Sequence, residues 1–240
     1  MDALLIPCFN RPEFLFHTLT NLVNTGDLDT VHVVFKPDTS PHRDIQAVID
    51  RFKDRMPSYE VRPASAARHR LTKQSQNVLQ GYQYAASLTD GLVFMVEEDI
   101  QVANDFIRYH RAVHLAEPDL FVSLSTKNHN LGHPETSGDP GAYYLSTGDF
   151  CSLGVCMKSS TIKELIAPHC NQAYYSNPIK YCRDTFPNSP IGLGYVEQDG
   201  LIRRVQEASG HATAYPHVPR AYHSGFYGYN RPKFTAGNLE

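Results

Sequence analysis

Short apolar segments alternate with amphipathic segments over the first half of the chain, and this alternation constrains the fold more than any other feature. The strand candidates are residues 3–7, 31–35, 91–96 and 120–125, with a weaker one at 59–61. Between them, apolar side chains recur at helical spacing, as Ile45, Val48, Ile49 and Phe52 do. Strands alternating with helices are typical of an α/β fold with a mainly parallel, doubly wound sheet. Sheets of that kind bind ligands beyond the carboxyl ends of their strands.

The second half of the chain has weaker periodicity. Residues 128–144 are rich in Gly, Pro, Asn and His, which predicts a long functional loop. The other predictions are a strand over 149–157, helices over 159–166 and 199–207, an irregular stretch over 170–190 and an aromatic loop over 215–232. Because no repeat or linker interrupts the sequence, we predict one domain over 1–240, with halves at 1–126 and 127–240.

Composition narrows the class of protein. With 22 basic and 25 acidic residues, the formal charge of −3 gives no global attraction to nucleic acid or anionic lipid. No run approaches the roughly 18 apolar residues of a membrane span, and the first strand candidate begins at Ala3, which we interpret as leaving no room for a signal peptide. The five cysteines include no C-x-x-C pair, so neither a disulfide framework nor a zinc knuckle is indicated. We therefore expect a soluble, cytoplasmic protein with reduced cysteines.

Three consecutive acids follow the strand candidate at 91–96, namely Glu97, Glu98 and Asp99. Adjacent carboxylates repel one another, so they need either water or a positive partner. In an extended chain Glu97 and Asp99 share one face and Glu98 takes the other. Two carboxylates on one side of a strand end suit Mg²⁺ or Mn²⁺, which would in turn hold a diphosphate. The alternative is a solvated strand end, which is what short acidic runs usually are.

The segment VFMVEEDIQVANDFIRYH, residues 93–110, resembles the metal-site strand of GT-A glycosyltransferases. It is most similar to the inverting N-acetylglucosaminyltransferase I family, in which V-E-D-D is followed by L-E-V-A-P-D-F. The resemblance implies a GT-A (Rossmann-like) fold with a nucleotide-sugar-binding first half and an elaborated acceptor-side second half. It also implies Asp99 as the direct metal ligand, with Glu97 and Glu98 at the donor and Glu98 near the ribose or sugar. Glu98 replaces the family's Asp, so its longer side chain reaches differently.

Weaker matches extend the resemblance over residues 3–225. They imply that Arg11 faces the uracil or the phosphate of a UDP-sugar, that Asp38 faces the uracil, and that His69 binds the nucleotide. SLSTKNHN and DFCSLGVCM are similar to the family's S-A-W-N-D-N and D-F-F-P-G-L-G-W. Each of the three residues also has an ordinary interpretation: a helix-start residue, a turn former and an exposed histidine. Lys73 belongs to a basic cluster with Arg62, Arg68, His69 and Arg70 that could contact the donor phosphates, a DNA acceptor or only water.

A second acidic pair, Glu197 and Asp199, stands just before a predicted helix. Acids there are favoured by the helix dipole, so plain capping is one interpretation. The other is catalytic, because an inverting transferase needs a carboxylate to take the proton from the acceptor hydroxyl. The resemblance favours Asp199 as this base, and Glu197 is the alternative. Arg203 and Arg204 either bind phosphate or lie on the helix surface.

His223 lies in an aromatic, glycine-rich segment, RAYHSGFYGYN. Many GT-A enzymes use a late histidine as a further metal ligand, and neutral imidazole is a reasonable ligand for Mn²⁺. The alternative is a histidine of the polar core.

The expected activity is metal-dependent transfer of a hexosyl or N-acetylhexosaminyl group from a nucleotide sugar, with inversion. The acceptor could be a glycan, a protein or the bases of a viral DNA. A nucleotidyltransferase remains an alternative, although the sequence PCFNRPE lacks the glycines of its phosphate loop. A non-catalytic sugar- or nucleotide-binding protein also remains open.

Overall fold

The structure is a computed structural model, and it describes residues 1–38, 43–65, 73–126, 141–147 and 150–224. The strands are β1 (Asp2–Cys8), β2 (Val31–Pro37), β3 (Tyr59–Val61), β4 (Leu92–Met95), β5 (Ile100–Val102), β6 (Val122–Leu124), β7 (Tyr143–Ser146), β8 (Val155–Lys158), β9 (Thr213–Pro216) and β10 (Ala221–His223). The α-helices are α1 (Pro12–Asn24), α2 (Arg43–Phe52), α3 (Lys73–Ser87), α4 (Phe106–Ala116), α5 (Ser159–Thr161), α6 (Gln172–Ser176), α7 (Pro178–Thr185) and α8 (Gln198–Ser209). A π-helical turn, Ile162–Ile166, continues α5.

Eight strands form one sheet in the order β3-β2-β1-β4-β8-β6-β9-β7. The four strands from β3 to β4 run parallel to one another. Strand β8 is antiparallel to both of its neighbours, β4 and β6, and β7 is antiparallel to β9. The predicted fold class, α/β with a mainly parallel doubly wound sheet, is confirmed.

Helices cover both faces of this sheet, as the continuous apolar strands require. Along β1, Ala3 and Leu5 join one core cluster while Leu4 and Ile6 join the other. The first cluster includes buried residues of α3 and α8, and the second includes those of α1, α2 and α4. Strand β8 is inserted between β4 and β6, so the two predicted halves of the chain share one sheet.

A second, two-stranded sheet pairs β5 with β10 in antiparallel register, with His223 opposite Ile100. The sequence does not predict β5 or β10. It predicts a helix soon after the three acids and a loop over 215–232. These two strands have three residues each, and each finds its partner more than 110 residues away. They join the acidic segment after β4 to the segment that carries His223.

Four local predictions need correction. The strand predicted over 149–157 begins only at Val155, since Gly154 takes a left-handed φ of 73° that a strand cannot continue through. The stretch predicted to be irregular contains α6 and α7. The sequence also predicts Asn10 and Asn104 as helix N-caps, but Arg11 and Asp105 occupy those positions, without a side-chain capping bond.

Among the described residues, no helix combines the length and apolar character needed to cross a membrane.

Candidate functional site

The three acids form a turn at the carboxyl edge of the sheet. The amide of Ile100 donates to the carbonyl of Glu97 at 3.1 Å, which closes a turn between β4 and β5. In this turn Glu98 and Asp99 both contact Arg11, whereas Glu97 contacts Ser152. The expected alternation, with Glu97 and Asp99 on one face, is therefore wrong, because it assumed an extended chain.

Glu98 holds the loop between β1 and α1. It is 1% exposed, and its two carboxylate oxygens accept from the Phe9 amide and the Arg11 Nε, each at 2.6 Å. Its backbone carbonyl accepts from the Thr18 hydroxyl at 2.6 Å. Burial raises the pKa of Glu98 to about 7, although Arg11 and the Phe9 amide act in the opposite direction. With both oxygens bonded to the protein, this geometry favours a role in shaping the loop over direct contact with a ribose.

Asp99 lies at the meeting point of Arg11 and His223. Its Oδ2 atom is 2.8 Å from the Arg11 Nη1 and 3.0 Å from the His223 Nε2. The carboxylate is buried, and within the described part of the chain its Oδ1 atom has no hydrogen-bond partner. A buried carboxylate oxygen without a partner carries a desolvation penalty that a ligand or ion would relieve. Arg11 contacts both Glu98 and Asp99, so it is the positive partner that adjacent acids require.

The small β5–β10 sheet is what brings His223 to Asp99. His223 pairs with Ile100, the residue that follows Asp99, and the Ser224 amide and hydroxyl both donate to the Asp99 carbonyl at 2.9 Å. Backbone pairing therefore fixes the histidine segment against the acidic turn.

The donor set fits a divalent cation in part. Asp99 supplies a carboxylate with one unpartnered oxygen and His223 supplies an imidazole, both of which Mn²⁺ accepts. Within the described part of the chain, no group of three His, Cys, Asp or Glu side chains is placed to hold a metal. The described residues would thus provide two ligands, and a bound diphosphate and water would supply others.

The other predicted donor residues lie at the neighbouring strand end. Asp38 follows β2, its amide donates to the Cys8 carbonyl at 2.9 Å, and its carboxylate pairs with the Lys73 Nζ at 3.5 Å. The structure therefore brings Asp38 and Lys73 together. Burial together with the charges of Glu98 and Asp38 raises the pKa of the Cys8 thiol well above its usual value. His69 lies outside the described residues.

Asp199, in the first turn of α8, reaches the acidic turn through Ser152. The Ser152 hydroxyl is 3.2 Å from Asp199 Oδ2 and 3.3 Å from Glu97 Oε1. Burial and the charge of Asp199 raise the pKa of Glu97 to about 8, while burial raises that of Asp199 to only about 6 because Ser152 opposes the effect. Of the two acids, Asp199 is therefore the more readily ionised. The arrangement places a candidate base next to the acidic turn.

Glu197 occupies the N-cap position of α8 without capping it through its side chain. Its charge acts on Asp199 and on Tyr174, whose hydroxyl donates to the Val196 carbonyl at 2.7 Å. Asp199, in contrast, shares Ser152 with Glu97, which favours Asp199 over Glu197 as the base.

Sequence reasoning misses Ser152 and Tyr82 as members of this site. Ser152 lies in DFCSLGVCM, whose likeness to a glycosyltransferase segment is the one signal that could have found it. Tyr82 occupies an apolar position of a helix, and a pattern of hydrophobicity does not reveal its hydroxyl group. It is fully buried, and its hydroxyl has no hydrogen-bond partner among the residues that the structure describes. Burial together with the charges of Asp199 and Glu97 raises its pKa.

Comparison with family models and with curated proteins finds no match to this chain. Solved structures are similar over most of it. S. aureus TarS 1–349 in complex with UDP-GlcNAc matches with a TM-score of 0.57 and 12% identity, covering 95% of this chain and 60% of that one. The galactosyltransferase LgtC in complex with donor and acceptor sugar analogues matches with a TM-score of 0.51 and 11% identity, covering 90% of this chain and 73% of that one. Mannose-1-phosphate geranyltransferase from Thermus thermophilus matches with a TM-score of 0.50 and 13% identity, covering 92% and 75%.

These similarities establish the GT-A type of α/β fold that the acidic motif implied. At 11–13% identity they show the fold alone. The chain spans 60% of the length of the TarS fragment. The closer assignment to the N-acetylglucosaminyltransferase I family stays a prediction.

Proposed function

We propose that this protein is a metal-dependent glycosyltransferase that moves a hexosyl or N-acetylhexosaminyl group from a UDP-sugar to an acceptor hydroxyl with inversion. The observation that carries the proposal is the Ser152 hydroxyl, which lies within hydrogen-bond distance of both Asp199 and Glu97. It joins a candidate base to the acidic turn where a donor diphosphate would be held. The UDP-GlcNAc complex of TarS and the sugar-analogue complex of LgtC, on the same fold, support a nucleotide-sugar donor.

Asp99 and His223 would hold the cation, which when bound neutralises charge on the leaving diphosphate. Asp38, which follows β2, and Lys73, the first residue of α3, would face the nucleotide. Arg11, already beside Asp99, would face the diphosphate edge. Asp199, whose carboxylate is ionised above its pKa of about 6, accepts the proton of the acceptor hydroxyl as that oxygen attacks the anomeric carbon. The bond between the anomeric carbon and the diphosphate oxygen breaks in the same step, and UDP leaves.

The test is nucleotide binding and slow sugar hydrolysis with UDP-glucose, UDP-galactose, UDP-GlcNAc and GDP-mannose, with Mn²⁺ or with chelator. We expect Mn²⁺-dependent release of one nucleotide from the wild type and its loss in Asp99→Ala. Asp90→Ala is the matched control, because Asp90 is a fully exposed acid at the opposite end of the same strand. Binding that is indifferent to Mn²⁺ and to Asp99 would contradict the proposal and favour a non-catalytic sugar-binding protein. No binding at all would contradict the proposal as well.

A further inference from the structure

Arg204 is a buried cation on α8 that the proposed chemistry does not use. Its side chain is 1% exposed, although the sequence suggests either the helix surface or a phosphate site for it. Among the described residues, no carboxylate forms an ion pair with it. A buried guanidinium is costly unless its donors are satisfied, so its partners indicate what it is for.

Those partners are backbone carbonyls of the segment that precedes α8. The Nη2 atom of Arg204 donates to the carbonyls of Ile191 and Gly192, each at 2.9 Å. The Nη1 atom donates to the carbonyl of Gly200 at 2.9 Å and to that of Tyr195. One side chain thus ties three carbonyls of the 191–195 loop to the first turn of its own helix.

Gly200 provides a second, independent sign that this loop is held closely. A Cβ atom at Gly200 would lie 2.1 Å from the carbonyl oxygen of Tyr195, closer than any real contact. Only glycine lets the loop backbone reach the helix there. The Tyr195 carbonyl therefore lies against both Arg204 and Gly200, whereas the Tyr195 side chain is 70% exposed.

The anchored loop leads directly into the acidic pair. Glu197 is the N-cap of α8 and Asp199 stands in its first turn, so the path of residues 191–195 sets where α8 begins. The Asp199 carboxylate must in turn meet Ser152, which belongs to a different segment of the chain. A shift of about 1 Å in such a group can lower a rate by on the order of a hundredfold.

We propose that Arg204 is a positioning residue that locks the 191–195 loop to α8 and thereby holds Asp199 in place for proton transfer. This inference rests on the proposed function for its catalytic part and on the carbonyl contacts for its anchoring part. Arg204 acts through the loop and the helix start and does not touch the donor.

The test compares Arg204→Lys with Arg203→Lys. Lysine keeps the charge but carries its donors on one nitrogen, so it cannot span four carbonyls as the planar guanidinium does. Arg203, the preceding residue on the helix, is partly exposed and lies 3.6 Å from Glu207, which makes its lysine variant the matched control. The measurements are hydrogen exchange over the whole chain, UDP affinity with Mn²⁺, and hydrolysis of the nucleotide sugar that the wild type turns over fastest.

For Arg204→Lys we expect faster exchange confined to residues 191–200, with β1 and β4 still protected. UDP affinity and the KM for the nucleotide sugar should stay within about twofold, while kcat falls roughly ten- to a hundredfold. Arg203→Lys should match the wild type in all three measurements.

Unchanged exchange over 191–200 would overturn the anchoring. Exchange that rises across the sheet together with a loss of UDP affinity would show a general packing role and overturn the positioning. A loosened loop with an unchanged kcat would overturn it as well. If the wild type hydrolyses no nucleotide sugar, the proposed transfer and the catalytic part of this inference both fail, and hydrogen exchange alone decides whether Arg204 anchors the loop.

Discussion

At the scale of single residues, the site depends on which acid of a crowded cluster is ionised. Burial raises the pKa of Asp199 to about 6, so its carboxylate is available above that pH and protonated below it. We therefore expect the hydrolysis rate at saturating donor to be level above pH 7 and to fall about tenfold per unit below pH 6. A pH–rate profile measures this. A rate that is flat from pH 4.5 to pH 8 would exclude Asp199 as the base.

Asp199→Asn should lower kcat by roughly 10²- to 10⁴-fold, because the amide cannot accept a proton. UDP affinity should change little, since Asp199 reaches the acidic turn only indirectly, through the Ser152 hydroxyl. Glu197→Gln is the matched control at the same helix start, and we expect it to keep most of the activity. If Glu197→Gln were the inactive variant, the two residues would exchange roles.

Ser152→Ala tests the bond between the two acidic groups. The Ser152 hydroxyl stabilises the ionised form of Asp199 and lowers its pKa, so its removal should raise that pKa further. The acid limb of the pH–rate profile should then move to higher pH by about one unit, the size of one hydrogen bond to a charged group. Movement to lower pH, or none, would show that the Ser152 hydroxyl does not lower the pKa of the base.

At the scale of secondary structure, the β5–β10 pair decides whether His223 can bind a cation. The bonds from the Ser224 amide to Asp99 and from the Ala103 amide to Arg220 place Tyr222 on the hydrogen-bonded side of the ladder. Tyr222→Pro removes its amide donor and should weaken Mn²⁺ binding roughly ten- to a hundredfold, as loss of ligand support does at other sites. Tyr222→Ala, at a side chain that is 64% exposed, should bind Mn²⁺ like the wild type. Titration with Mn²⁺ measures the affinity of both variants, and equal affinities would show that His223 is not a ligand of the metal.

These elements also show why sequence reasoning reaches only part of the site. Strands β1 and β2 are predictable, because their apolar runs carry the signal locally and are buried on both faces. Strands β5 and β10 are not, since three-residue strands show no periodicity and exist only through a partner far along the chain. Arg204 escapes prediction for a related reason. Its partners are carbonyls, which no side-chain pattern reveals.

At the scale of the whole molecule, the sheet gives a reason to expect a single cooperative unit. Strand β8, from the second half of the chain, lies between β4 and β6 of the first half, so neither half has a complete sheet alone. The candidate site also combines the two halves, because Asp99 comes from the first half and both Asp199 and His223 come from the second. A ligand held there contacts both halves and should stabilise them together.

We therefore expect one unfolding transition, with equal calorimetric and van't Hoff enthalpies. UDP with Mn²⁺ at 100 times its Kd should stabilise the fold by about 2.7 kcal/mol, because it binds only the native state. That corresponds to a rise in Tm of roughly 5–10 °C for a chain of this size. Asp99→Ala should lose the shift and Asp90→Ala should keep it. Two separate transitions, of which only one moves with ligand, would show that the halves unfold independently and would contradict the single domain.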